Sequence, residues 1–150
     1  DLRLGRIHKI FNVSNTKGLS NLLASSDVLD CGDYIKKTSV ENVYVMPRGT
    51  VPPNPSELLN SSNTRRLIEF LRESFDHIIF DGVPVNGLPD SLVMANMVDR
   101  VIIVSAMGYT DIDDLNDTKK ALEKIDANIA GVIVNRAAKT KRGKYNNYYE

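Results

Sequence analysis

Arg100-Val-Ile-Ile-Val-Ser105 is the stretch on which the fold turns. Four consecutive β-branched aliphatics with no polar position between them read as a strand covered on both faces, the pattern of a parallel sheet between helical layers. Ala130-Gly-Val-Ile-Val-Asn135 repeats that pattern, His77-Ile-Ile-Phe-Asp81 makes a third such run, and Val43-Tyr-Val-Met46 a shorter fourth. Helical periodicity separates them. Asn63 to Ser74 leads Leu67, Ile68, Leu71 and Phe75 onto one apolar face, and Thr110-x-x-Asp113 opens a longer helix carrying Ile112, Leu115, Leu122 and Ile125. Strands alternating with helices predict an α/β fold of right-handed βαβ units, a doubly wound and mostly parallel sheet. No internal repeat is visible. After Ala137 apolar periodicity stops, so residues 1–137 are expected to fold and 138–150 to form a flexible basic tail.

A chain of 150 residues, 42% apolar and 25% charged, has the composition of one globular domain. Nineteen basic and nineteen acidic side chains cancel, so no binding to nucleic acid through net charge is expected. Cys31 is the single cysteine, which excludes an internal disulfide and a cysteine-built metal site, and fits a reducing cytosol. No apolar run approaches the roughly 18 residues of a membrane span, so association with a membrane is expected to come through a partner. The chain opens on Asp1, without Met or a signal-like stretch, and is read as cut from something longer.

Val51-Pro-Pro-Asn-Pro-Ser-Glu-Leu-Leu59 has the grammar of a rigid loop launching a helix. Pro52-Pro53 locks an extended entry, Asn54 suits the N-cap, Pro55 the first helical position, and Glu57 the third, where its charge favours the helix start. The His77 to Gly82 run ends in a carboxylate. Ligands of open α/β sheets bind beyond the carboxyl ends of strands, which would face Asp81 to the crevice, where an Asp commonly holds Mg²⁺ in phosphate-transferring folds. The alternative is an acid that merely caps the next turn. His8 and His77 lack a second ligand at metal spacing, and Tyr34, Tyr44 and Tyr109 read as packing residues.

Taken together, these motifs resemble the bacterial tyrosine kinases that control capsule and exopolysaccharide synthesis. Asp1-Leu2-Arg3 matches the end of their Asp-x-Asp-Leu-Arg motif, Walker A′. His8-Lys9-Ile10-Phe11, Gly18-Leu19-Ser20-Asn21-Leu22-Leu23, Pro47-Arg48-Gly49 and the Pro-Pro-Asn-Pro-Ser-Glu-Leu-Leu signature follow in order. Phe75-Asp76-His77-Ile78-Ile79 through Asp90 matches the Walker B region, and Gly131-Val132-Ile133-Val134-Asn135 the last strand. The resemblance implies a P-loop NTPase-like fold related to MinD and ParA and incomplete at its amino end. It implies ATP and Mg²⁺ as cofactors, with Asp81 and Asp1 at the metal and in catalysis. Arg3 and Asn135 would lie at the nucleotide, Asn135 near the adenine, although a turn residue explains Asn135 equally well.

Three of six tyrosines, Tyr145, Tyr148 and Tyr149, fall in the last six residues beside Lys139, Lys141, Arg142 and Lys144. A basic terminal tail with chance tyrosines is one reading. The resemblance implies the other, an autophosphorylation cluster presented to a neighbouring subunit, with about −1.5 to −2 charges added per phosphate. Implied partners are like subunits exchanging tails and a transmembrane activator, the polysaccharide co-polymerase. The implied location is the cytoplasm, at the inner face of the membrane through that partner or a fused domain. Departures bear on this expectation. Asp81-Gly82-Val83-Pro84 stands where relatives have Asp-Thr-Pro-Pro, Gly5 stands where many have Pro, and no G-x-x-x-x-G-K-[ST] occurs. The chain by itself is therefore expected to bind ATP poorly. A MinD/ParA-like ATPase switch and a catalytically impaired pseudokinase or binding module remain the alternatives.

Overall fold

A computed structural model describes residues 1–137, in two compact units, Asp1–Val98 and Asp99–Glu150, the second described to residue 137. The first unit contains helices α1 (Ile7–Ile10), α2 (Leu19–Leu23), α3 (Pro55–Leu59), α4 (Ser62–Ser74) and α5 (Asp90–Ala95), with strands β1 (Lys36–Lys37) and β2 (Tyr44–Val45). Its core gathers Leu2, Leu22, Leu23, Leu59, Leu67 and Leu71, all under 9% exposed. Each buried leucine contributes about 1.5–3 kcal/mol, so this cluster is the main source of the unit's stability. Helix α4 lays Leu67, Ile68 and Leu71 on the core as its periodicity requires. Ser61 caps it by accepting from the Thr64 amide, and Phe75 ends it in extended backbone.

Two strands expected in this unit differ from their reading. Val43 to Met46 contributes only Tyr44–Val45, paired antiparallel with Lys36–Lys37. Its side chains alternate, Tyr44 exposed and Val45 buried, which is how a strand with one wet face behaves. Residues 77–81 form no ladder among the described residues, and Ile79 is 91% exposed. A ladder needs a neighbour, whereas the Asp81 carbonyl oxygen accepts from the Asp1 nitrogen. Composition cannot supply that partner.

The second unit holds β3 (Val101–Ala106), α6 (Ile112–Glu123) and β4 (Ile129–Asn135). The strands pair in parallel from Val101↔Ile129 to Ala106↔Asn135, with an irregularity after Val101, and α6 supplies the crossover that parallel pairing demands. This is the βαβ unit expected from the two Ile/Val runs. Covering of both faces is not met among the described residues, because Ile103 and Ser105 are buried while Ile102 and Val104 are exposed. Thr110 does not open α6. Its Oγ1 accepts from the Ala106 amide and ties off β3, and Asp111 takes the N-cap position. Leu122 anchors the helix at 1% exposure.

No helix among the described residues is long and apolar enough to cross a membrane. Tyr145, Tyr148 and Tyr149 lie outside the described residues, as does the rest of the proposed tail.

Candidate functional site

Asp1 and Asp81 come together through main-chain atoms. The Asp1 nitrogen donates to the Asp81 carbonyl oxygen across a separation of 80 residues. The Asp1 carboxylate folds the next residues into a turn, its Oδ1 accepting from the amides of Arg3 (2.8 Å) and Leu4 (2.9 Å). A carboxylate offers about four acceptor positions, so two amides leave it capacity for a cation or a hydroxyl. The tightness of this turn accounts for Gly5. A Cβ there would lie 2.3 Å from the Asp1 carbonyl oxygen, closer than any side chain tolerates.

The two acids border a cleft of about 200 Å³ in the first unit, whose other walls include Arg48, Leu67, Ile78 and Phe80. Asp81 is exposed and Asp1 half-buried, so both face water on at least one side. No group of three or more His, Cys, Asp and Glu among the described residues could hold a metal. Mg²⁺ does not need one. It usually takes one or two carboxylates and completes its octahedron with phosphate oxygens and waters, and Asp1 and Asp81 offer the oxygen donors it prefers.

Arg3 turns away from the cleft toward Asp90. Its Nε donates to Oδ2 at 2.9 Å and its Nη2 to Oδ1 at 3.1 Å, a fork-to-fork pair. Ser56 Oγ, in the first turn of α3, donates to the same Oδ1. Asp90 is only 3% exposed, and the Arg3 guanidinium, with help from Ser56, holds its carboxyl below the usual carboxylate range against the opposing effect of burial. Arg48 Nη1 donates to the Arg3 carbonyl oxygen, while its buried Nε has no partner. Asp90 and Ser56 were not among the expected site residues; the place of Asp90 at the end of the Walker B-like stretch is the signal that could have marked the first.

The Pro-rich signature performs as its grammar requires, with one difference. Pro55 is the first helical residue and Glu57 sits in the first turn, but the Asn54 side chain does not cap α3. Its Nδ2 donates instead to Glu57 Oε2 at 3.0 Å. The Gly82-Val83 departure is pinned: Val83 is buried and its carbonyl oxygen accepts from Ser91 Oγ at 2.6 Å.

Asn135 belongs to the second unit. Its Oδ1 accepts from the Arg136 amide at 2.8 Å, closing a turn in which Arg136 takes φ +56°, and the Arg136 guanidinium lies 4.2 Å from the centroid of the Tyr109 ring. Asn135 thus ends β4 and closes the turn that follows it, and its side-chain amide nitrogen is a donor type suited to a base.

No protein-family profile matches the chain. It is 35% identical over 145 residues to the tyrosine-protein kinase etk of Escherichia coli K12, covering 97% of this chain and 20% of that protein. It is 31% identical to the tyrosine-protein kinase CpsD of Streptococcus agalactiae, covering 99% of this chain and 65% of that one. Among solved structures, the kinase domain of the Escherichia coli tyrosine kinase ETK superposes with a TM-score of 0.87 at 33% identity, covering 100% of this chain and 58% of that domain. The chimerical protein CapA2B2 follows at 0.85 and 32%, covering 93% and 61%. The chain therefore spans less than two thirds of each of these proteins.

Proposed function

Because this chain belongs to the bacterial tyrosine-kinase family and shares its P-loop-type α/β fold, we propose that it is the carboxyl-terminal part of an ATP-dependent protein-tyrosine autokinase. Its service would be the synthesis and export of capsular or exopolysaccharide. The observation that carries the reading is the joining of Asp1 to Asp81 at the border of one cleft. The main chains of the two residues, 80 apart, meet there, which supports reading them as the Walker A′ and Walker B acids.

Mg²⁺ bound with the nucleotide would neutralise charge on the phosphates, held by Asp81 with Asp1 beside it. A phenol of pKa near 10 is protonated at neutral pH, so its proton must be taken or directed as phosphate transfers. Asp1, whose Oδ1 accepts from two amides, would accept that hydrogen bond. Positioning and charge complementarity then supply most of the rate. Asn135 would meet the base. Arg3 serves the nucleotide by holding the Asp1 turn, since two of its donors are spent on Asp90. The acceptors would be Tyr145, Tyr148 and Tyr149 of a like subunit. A transmembrane co-polymerase would bring the kinase to the inner face of the membrane.

One observation favours a second reading for the 150 residues taken alone. The cleft of about 200 Å³ is smaller than the roughly 300–1,000 Å³ that encloses an organic ligand. A catalytically impaired binding module would look the same. A MinD/ParA-like switch is told apart by its acceptor, since it would modify no tyrosine.

The test is phosphate mapping by mass spectrometry on the full-length protein carrying these residues, incubated with ATP and Mg²⁺. Phosphate at Tyr145, Tyr148 or Tyr149 is expected, and Asp81→Asn should lower turnover by about 100-fold or more. Phosphate confined to other residues, or unchanged turnover in the variant, overturns the assignment.

A further inference from the structure

We propose that Asp90 is a positioning residue that locks the Asp1 turn and helix α3 into one piece beside the acidic site; the inference rests on the kinase reading for its catalytic consequence but not for its geometry. The connections are continuous. Ser56 Oγ and the Arg3 fork converge on the Asp90 carboxylate, the Arg3 amide donates to Asp1 Oδ1, and the Asp1 nitrogen donates to the Asp81 carbonyl oxygen. Arg48 holds the same segment from another side through the Arg3 carbonyl.

Stability alone is a poor reason for this arrangement. Removing a carboxylate from water costs several kcal/mol, and well-packed apolar residues often replace a buried ion pair without loss. A bidentate Arg–carboxylate pair, in contrast, sets orientation as well as distance. Here it fixes Arg3, and with it the peptide whose amide grips Asp1. Because Ser56 and the Arg3 Nη2 share one acceptor oxygen, Asp90 Oδ1, the carboxylate couples the start of α3 to the Asp1 turn. A pocket acid displaced by about 1 Å can lose about 100-fold in rate, so a rigid mount has catalytic value.

Amide hydrogen exchange on the 150-residue chain tests the mount directly. In Asp90→Asn, which keeps the shape but loses one acceptor and the charge, and in Arg3→Lys, which keeps the charge but loses the fork, exchange at Arg3 and Leu4 should quicken by about 10-fold or more, with helix α4 unchanged. Ser56→Ala should quicken the first amides of α3 most. Unchanged exchange at Arg3 and Leu4, or equal acceleration throughout α4, overturns the proposal, the latter by making Asp90 a general fold residue. In the full-length protein, Asp90→Asn and Arg3→Lys should lower kcat by about 10-fold to 100-fold while KM for Mg·ATP stays within about twofold; a change in KM alone also overturns it. Absence of phosphate transfer by the unmodified protein would refute the kinase reading, and the exchange measurement would still judge Asp90.

Discussion

Gly18→Ala should be among the most damaging single substitutions in the first unit, although it adds only one carbon. Gly18 precedes α2 in extended backbone, φ −155°, which any residue adopts, so conformational freedom is not what it supplies. Space is. A Cβ would stand 2.2 Å from the Gly49 nitrogen, 2.3 Å from the Pro47 carbonyl oxygen and 2.6 Å from the Arg48 carbonyl carbon, all main-chain atoms that no rotamer change can move. Relief requires parting the two segments, which breaks Leu19 N–H to Pro47 O and Ser20 N–H to Arg48 O, both 2.8 Å. Two such bonds are worth about 1 kcal/mol each, and forcing a methyl into a packed site costs about 1–3 kcal/mol more. The sum, about 3–5 kcal/mol, is a large share of the 5–15 kcal/mol that holds a typical domain together. Urea unfolding followed by far-ultraviolet circular dichroism measures it. Gly32→Ala is the control, since nothing lies within 4 Å of its Cβ position, and should stay within about 0.5 kcal/mol. A loss below about 1 kcal/mol for Gly18→Ala would refute the close-approach argument.

Acid should destabilise the protein partly through Asp90. Its folded pKa is depressed, first by the Arg3 hydrogen bond, so its contribution is present above the unfolded value of about 3.9 and is lost as pH falls through the lower folded value. The urea midpoint should drop more steeply below about pH 4 in the unmodified chain than in Asp90→Asn, and parallel slopes would count against it. Cys31 is 6% exposed and burial pushes its thiol pKa up, so a thiol-disulfide reagent should react at least about 10-fold faster in denaturing urea than in buffer. Equal rates would mean the side chain is accessible. Leu122→Ala should cost about 2–5 kcal/mol, whereas Ile112→Ala on the same helix, 68% exposed, should cost about 0.5 kcal/mol or less. Reversal of that order in thermal or urea unfolding would show the exposure pattern of α6 to be wrong.

The local period of apolar residues sufficed wherever an element could be recognised from its own side chains. Helix α4 needs only Leu67, Ile68 and Leu71 on one stripe, and β3 and β4 need only their Ile/Val runs and an intervening helix. Pro55 opening α3 was likewise legible, because that position depends on neighbours in the chain. Tertiary structure decided what depends on distant partners. Residues 77–81 carry a strand's composition without its ladder, since a ladder is a relation between two segments. Asn54 and Thr110 had caps to make and spent their side chains elsewhere, on Glu57 and on the Ala106 amide. Asp90 is the clearest case. Its donors, Arg3 and Ser56, lie 87 and 34 residues away, and the burial that turns an ordinary acid into a fixed anchor comes from the whole unit folding around it.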